Sequence, residues 1–183
     1  MAAGWMRTGF RSWGGVRLRR FGGFTLCGLL LIVLTLATVP SVAWADFLEH
    51  VDYTLTDQNG ADFSGQDLSG TSFAGAEGRR ASFHSARLRG AILTQATLAE
   101  ADFRAADLSD ALMDRVDAQG ADFTDALLRG VIASGSTFAG ATVTNADFTD
   151  ALLDREDQVA LCREASGTNP KTGEDTRLSL GCG

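Results

Sequence analysis

The chain has 183 residues with 23 acidic and 16 basic side chains, a net charge of −7, two histidines and three cysteines. That length makes one domain, and the acidic balance argues against binding nucleic acid or an anionic membrane through a basic patch. His50 and His84 lie far apart, and no Ser/His/Asp or Cys/His set, zinc spacing or phosphate loop accompanies them. No convergent groups for an enzyme are present in the pattern, so no catalytic, metal or cofactor site is expected.

Residues 1–45 hold five arginines (Arg7, Arg11, Arg17, Arg19, Arg20) and no acid, and Phe21 to Ala45 is uncharged. The densest apolar run, "LLLIVLTLATV" at 29–39, is followed by Pro40 and then by "AWA" at 43–45. A basic region, an apolar core and a small-x-small site are the parts of a secretory signal, which places cleavage between Ala45 and Asp46. The competing reading is a retained membrane anchor, because the uncharged stretch is long enough to span. "RRFGGF" fits a twin-arginine signal poorly, and Leu26 before Cys27 fits a lipoprotein poorly. With 1–45 removed, 11 basic and 23 acidic residues remain, a net charge of −12. Residues 46–60 are expected to cap the N-terminal end of the region from 61 onward, with Phe47, Leu48 and Tyr53 covering it, and to hold two degenerate five-residue blocks at 51–60.

From residue 61 to 155 the chain repeats every five residues without an insertion or deletion. Phe, Leu or Met stands at the third place of most blocks, and the first place is Ala in all but Gln66, Thr71, Val116, Val131 and Ser136. Helices repeat every 3.6 residues and strands every 2, so neither explains the period. The units "ADFRA", "ADLSD" and "ADFTD" resemble the pentapeptide-repeat family, A-[D/N]-[L/F]-x-x. The resemblance implies an all-β solenoid: a right-handed quadrilateral β-helix of just under five coils, one block per side, with centre and alanine pointing inward. A five-residue unit cannot bury an apolar face alone, so the units must stack.

Folded by twenty, the centres fall into four columns. Side one is Phe63, Phe83, Phe103, Phe123 and Val143, and the unbroken Phe run suits rings stacked at strand spacing. Side two is led by Leu, side three runs Phe73, Leu93, Met113, Ala133, Leu153, and side four runs Gly78, Leu98, Ala118, Phe138. The residue before each centre should face solvent. Asp62, Asp102 and Asp122 share one such column, which reads as a solvated acidic face, with weak calcium binding as the alternative. On side three the outward column carries Ile92, Leu112, Ile132 and Leu152, an apolar row that reads as an interface for a partner protein or a second copy. The alternative is that the segment before 61 or the tail lies over it.

The tail, 156–183, leaves the period. "DREDQVALCREASG" reads as a short helix with Asp154 as N-cap, Asp157 three residues on and Gly167 as C-cap, and "NPKTG" at 169–173 reads as a turn. This segment is the expected C-terminal cap, because an open coil end exposes unpaired strand edges. Cys162 and Cys182 are an even pair, and an exported chain can keep a disulfide; two free thiols are the alternative. The tail also looks like that of the lumenal pentapeptide-repeat proteins of cyanobacteria and chloroplasts, which end in a helical cap tied by a disulfide. That likeness implies a Cys162–Cys182 bridge and the thylakoid lumen or the periplasm as the compartment. The expected function is a non-enzymatic exported scaffold or interaction module, with no nucleic acid and, after cleavage, no membrane as partner. The family also contains acidic members that mimic DNA and protect type II topoisomerases. Here an export signal and a cysteine-bearing tail stand where those proteins carry a cytoplasmic start and a dimer module.

Overall fold

The computed structural model describes residues 51–183. The signal segment 1–45, its cleavage point at Ala45 and Asp46, Cys27, Phe47, Leu48 and His50 lie outside the described residues. From Tyr53 onward the chain winds as a right-handed four-sided coil with a period of twenty residues. Each side pairs in parallel with the equivalent side of the next coil: Asp62, Ser82, Asp102, Asp122 and Thr142 form one such column, and Ser72, Ile92 and Leu112 belong to another that continues to Ile132. At the end of that column the pairing lengthens into two short strands, β1 (Ile132–Ala133) and β2 (Leu152–Leu153), in the same register.

The period of five follows from how one block spends its five amides. In the block 101–105, Phe103 donates to Asp122 O of the next coil at 2.8 Å and Ala105 to Thr124 O at 2.9 Å. Asp102 donates back to Ala81 O at 3.0 Å, and Ala101 closes the corner onto Leu98 O at 3.1 Å. Only the fourth amide, that of Arg104, is left over. It goes to Asp102 Oδ1 at 3.0 Å, and the same contact recurs from Ser64 to Asp62, Ser69 to Asp67, Ser109 to Asp107 and Thr124 to Asp122. A backbone amide without a partner is costly where water cannot reach it freely, and an aspartate side chain is well suited to bond two residues ahead. The recurring Asp is therefore a turn cap as well as a surface charge.

The fifth residue turns the corner. All twenty block ends from Leu55 to Asp150 have φ between +56° and +72°, eleven of them without being glycine. An L-residue in this region costs on the order of 1 kcal/mol, and the ladder holds each of them there.

Inside, the closed coil leaves room for one large side chain per side. Phe63, Phe83, Phe103 and Phe123 stack with centroids 4.9–5.1 Å apart and planes within 11° of parallel. Phe73 on side three meets Phe63 and Phe83 edge-on. The alanines at the first place are buried from Ala76 to Ala146. Side four is filled by complementarity: a Cβ on Gly78 would stand 2.9 Å from Leu98 Cδ2, and Phe138, above Ala118, tilts against Phe123 at 5.9 Å. Tyr53 occupies the side-three centre one coil before Phe73 and stacks on it at 4.7 Å, so residues 51–60 run in phase with the coil; Asp57 pairs with Glu77.

The narrow interior gives a direct test. Ala101→Leu forces a branched side chain into a closed core and should cost about 1–3 kcal/mol or more. Glu100→Gln, at an exposed corner, should stay within about 0.5 kcal/mol. Thermal melts of the two variants should therefore separate clearly, and equal melting temperatures would break the inside/outside assignment.

Candidate functional site

The tail closes the last coil with side chains that imitate a further coil. Within the ladder each centre amide donates to the carbonyl nineteen residues on. At the end of the coil, Gly135 N donates instead to Asp154 Oδ2 at 2.7 Å and Phe138 N to Asp157 Oδ1 at 3.5 Å, both nineteen residues on. Phe148 N donates to Ser179 Oγ at 3.0 Å, and Asn145 N to Ser166 O at 2.8 Å. These contacts correct the capping-box expectation. Helix α1 (Arg155–Glu164) has Asp154 as N-cap, but that side chain makes no bond to its own helix; both acids are spent on the edge of the coil. The helix also ends at Ala165, not at Gly167. Gly167 has φ +84°, and a Cβ there would lie 1.9 Å from Asn145 Oδ1, so its glycine serves close approach to the last coil.

Beyond α1 the chain folds back along the coil, which the sequence reading missed. Asn169 is buried and its amide nitrogen donates to Asp125 O, Ala126 O and Asn145 O at 3.3, 3.2 and 2.8 Å. Lys171 Nζ reaches Ala105 O at 2.8 Å. These carbonyls belong to three successive coils at the corner between sides one and two. A second short helix, α2 (Thr176–Ser179), comes next, capped by Asp175. Cys162 on α1 and Cys182 after α2 are joined in a disulfide with Cα atoms 5.6 Å apart, and Gln158 Nε2 and Arg177 Nη1 donate across the same joint to Leu180 O and Cys162 O.

Among the described residues the histidine and the acidic side chains do not gather into a metal-binding cluster. His84 is exposed on side one. Asp102 is held below the usual carboxylate range chiefly by its hydrogen bonds from Arg104, whose guanidinium also lies 3.9 Å from Asp122. Among the described residues no group of three His, Cys, Asp or Glu side chains could hold a metal ion. Asp157 is pushed above the usual range by burial first, and then by Asp154 and Glu156 beside it.

The outward column of side three is different in kind. Ile92, Leu112 and Leu152 are 37 %, 36 % and 60 % exposed, and Ile132 between them is half-buried. Neither the tail nor residues 51–60 bury this row. It also interrupts the turn-capping rule, since an apolar side chain cannot accept the fourth amide of its block. Pairing in register sets the four side chains one coil apart, about 4.8 Å per step.

Comparison with known proteins places the chain. The family model described as pentapeptide repeats matches in eight copies over residues 59–95, 91–130 and 119–155. The chain belongs to the pentapeptide-repeat family. A pentapeptide repeat protein from the Arabidopsis thaliana thylakoid lumen, known from a crystal structure, is 38 % identical, with 71 % of this chain and 90 % of that chain covered and a TM-score of 0.70. A pentapeptide repeat protein from the cyanobacterium Cyanothece 51142 is 17 % identical over 56 % of this chain and 91 % of its own, with a TM-score of 0.39. A plasmid-mediated fluoroquinolone resistance protein is 18 % identical over 58 % and 60 %, with a TM-score of 0.27. These last two likenesses are too slight to bear on the function of this chain. No curated protein matches the sequence. No helix among the described residues is long and apolar enough to cross a membrane.

Two measurements check the cap. Cys182→Ser should speed amide hydrogen exchange at Gly135, Phe138, Asn145 and Phe148 while Phe83 to Phe123 stay protected, because stability in a stacked repeat is mostly nearest-neighbour; uniform loss of protection would contradict this. For Asp157 the folded pKa lies above the unfolded one, so its charge opposes folding at neutral pH and the penalty fades as pH falls below the raised pKa. Asp157→Asn should therefore melt higher than the parent at pH 7, with the gap closing toward about pH 3.5, below the unfolded value.

Proposed function

We propose that the protein is an exported, non-enzymatic scaffold of the thylakoid lumen or the periplasm, cleaved between Ala45 and Asp46, that docks another protein or a second copy of itself through side three. The observation that carries this reading is the row Ile92, Leu112, Ile132, Leu152, apolar and open among the described residues. On sides one, two and four the same block position supplies Asp to the turn in seven blocks from residue 61 onward; here four consecutive coils carry an outward hydrophobe in its place. A surface that breaks the local rule of its own fold at repeated positions is where function is expected, and contiguous exposed apolar surface marks an interaction site.

The compartment rests on two supports. One is the arrangement of charge and hydropathy in 1–45. The other is the lumenal source of the 38 % identical relative, whose likeness spans more of the chain than the repeats do. The cystine between Cys162 and Cys182 suits an oxidising compartment. Neither nucleic acid nor, after cleavage, a membrane is proposed as partner.

Two experiments test the reading. Intact mass of the protein from its native host should give a chain beginning at Asp46; a mass that retains 1–45 would refute export with cleavage. In affinity capture from the native compartment, Leu112→Asp with Ile132→Asp should lose what the parent protein retains, while the melting temperature changes little, since both side chains face outward. A double variant that keeps every partner would rule out side three.

A further inference from the structure

We propose that the occupant of side three is a second copy of this chain, packed face to face and antiparallel along the coil axis, with a two-fold axis passing between Leu112 and Ile132. This rests on the reading of side three as an interface and names its partner. A two-fold lying in the sheet face along the strand direction reverses the order of coils but keeps each flank on its own side. Ile92 then meets Leu152 of the second copy, and Leu112 meets Ile132 of the second copy. Such an isologous contact uses one patch twice and closes on itself, and two flat sheets pack at about 10 Å with their side chains interleaved.

The charges at the corner before side three select this arrangement. That corner presents, coil by coil, Arg89, then Asp110, then Arg129, then Asp150. Reversing the order brings Arg89 opposite Asp150 of the second copy and Asp110 opposite Arg129 of the second copy, and the two-fold repeats each pair. The pattern plus, minus, plus, minus is its own complement when reversed. Across the row, the other flank offers Gln95 opposite Asp154 and Arg115 opposite Gly135, with no clash of like charge. A two-fold along the coil axis would instead set Arg89 against Gln95 and Asp110 against the pair Asp114 and Arg115, without such matching.

The arginines are available for this. Arg89 and Arg129 have about half of their side-chain surface exposed. Arg89 lies 3.6 Å from both Asp107 and Asp110, and Arg129 lies 3.8 Å from Asp147. These are loose ionic contacts without hydrogen bonds among the described residues, so their donors remain unspent. A strip one side chain wide falls at the small end of protein interfaces, below about 1,200 Å² in total. The association is therefore reversible and depends on concentration.

Sedimentation velocity tests it on the purified protein in the form its host produces, from about 1 to 200 µM, a span that brackets weak association. The parent should pass from monomer to dimer across the range. Arg89→Asp and Asp150→Arg should each weaken the dimer about five- to tenfold, because each sets two pairs of like charge face to face. The combined variant Arg89→Asp/Asp150→Arg should recover the parent's affinity, a result no merely structural role produces. Leu112→Asp/Ile132→Asp should remain monomeric with an unchanged fold by circular dichroism. A parent that stays monomeric throughout, or a charge exchange that fails to restore association, overturns the antiparallel pair. In that case loss of captured partners by the double aspartate variant still supports side three as an interface for a different protein, so the two readings fail separately.

Discussion

The hydrogen-bond ladder between residues nineteen and twenty-one apart is the constraint on which this molecule depends. It fixes the length of a coil at twenty residues, because only then does every centre amide meet a carbonyl in the next coil. With four corners per coil, each block has five residues, and each block must turn at its end. The positive φ at every corner, including eleven residues that are not glycine, is a consequence of the ladder. So is the narrow interior, which admits a Phe or Leu at the centre and only a small side chain two places before it.

The same ladder creates a difficulty at its last coil, where amides point away from the chain with no further coil to receive them. The tail meets it by offering acceptors where a further coil's carbonyls would stand. Asp154 and Asp157 lie at the ladder offset from Gly135 and Phe138, and Ser179 serves Phe148. Holding short helices against the end of a coil requires anchorage. Asn169 and Lys171 provide it by bonding to corner carbonyls of three coils, and the cystine ties the two helices to each other. The cap is thus both a plug and a strap.

Around the outside, the second place of each block is where turn capping and apolar surface compete. Aspartate there satisfies the one amide the ladder leaves over, and it makes the surface acidic. Side three gives this up for isoleucine and leucine. The cost is spread over several coils, and what it yields is a flat apolar row with alternating charge along one rim. No pocket or cluster of titratable groups on the described surface has a comparable arrangement.

The sequence by itself determined the period, the four columns, the direction in which each residue points and the apolar row, because an unbroken repeat of five lets one coil stand for all and alternation of inside and outside is then fixed by position. It also marked Gly78 and Ala118 as small centres and gave the tail as a cap. The tertiary structure alone decided how those parts are used. Asp62 and its equivalents read as surface charge until the turn brings the fourth amide to them. Asp154 and Asp157 read as a helix start, yet they bond to Gly135 and Phe138, since a coil edge in need of acceptors outcompetes a solvent-exposed helix end. Asn169 and Lys171 read as an ordinary turn, because a bond to carbonyls 24 to 66 residues earlier leaves no periodic trace in a chain. Local pattern encodes what repeats; contacts made once, between the end of the coil and the tail that closes it, exist only when the chain has folded.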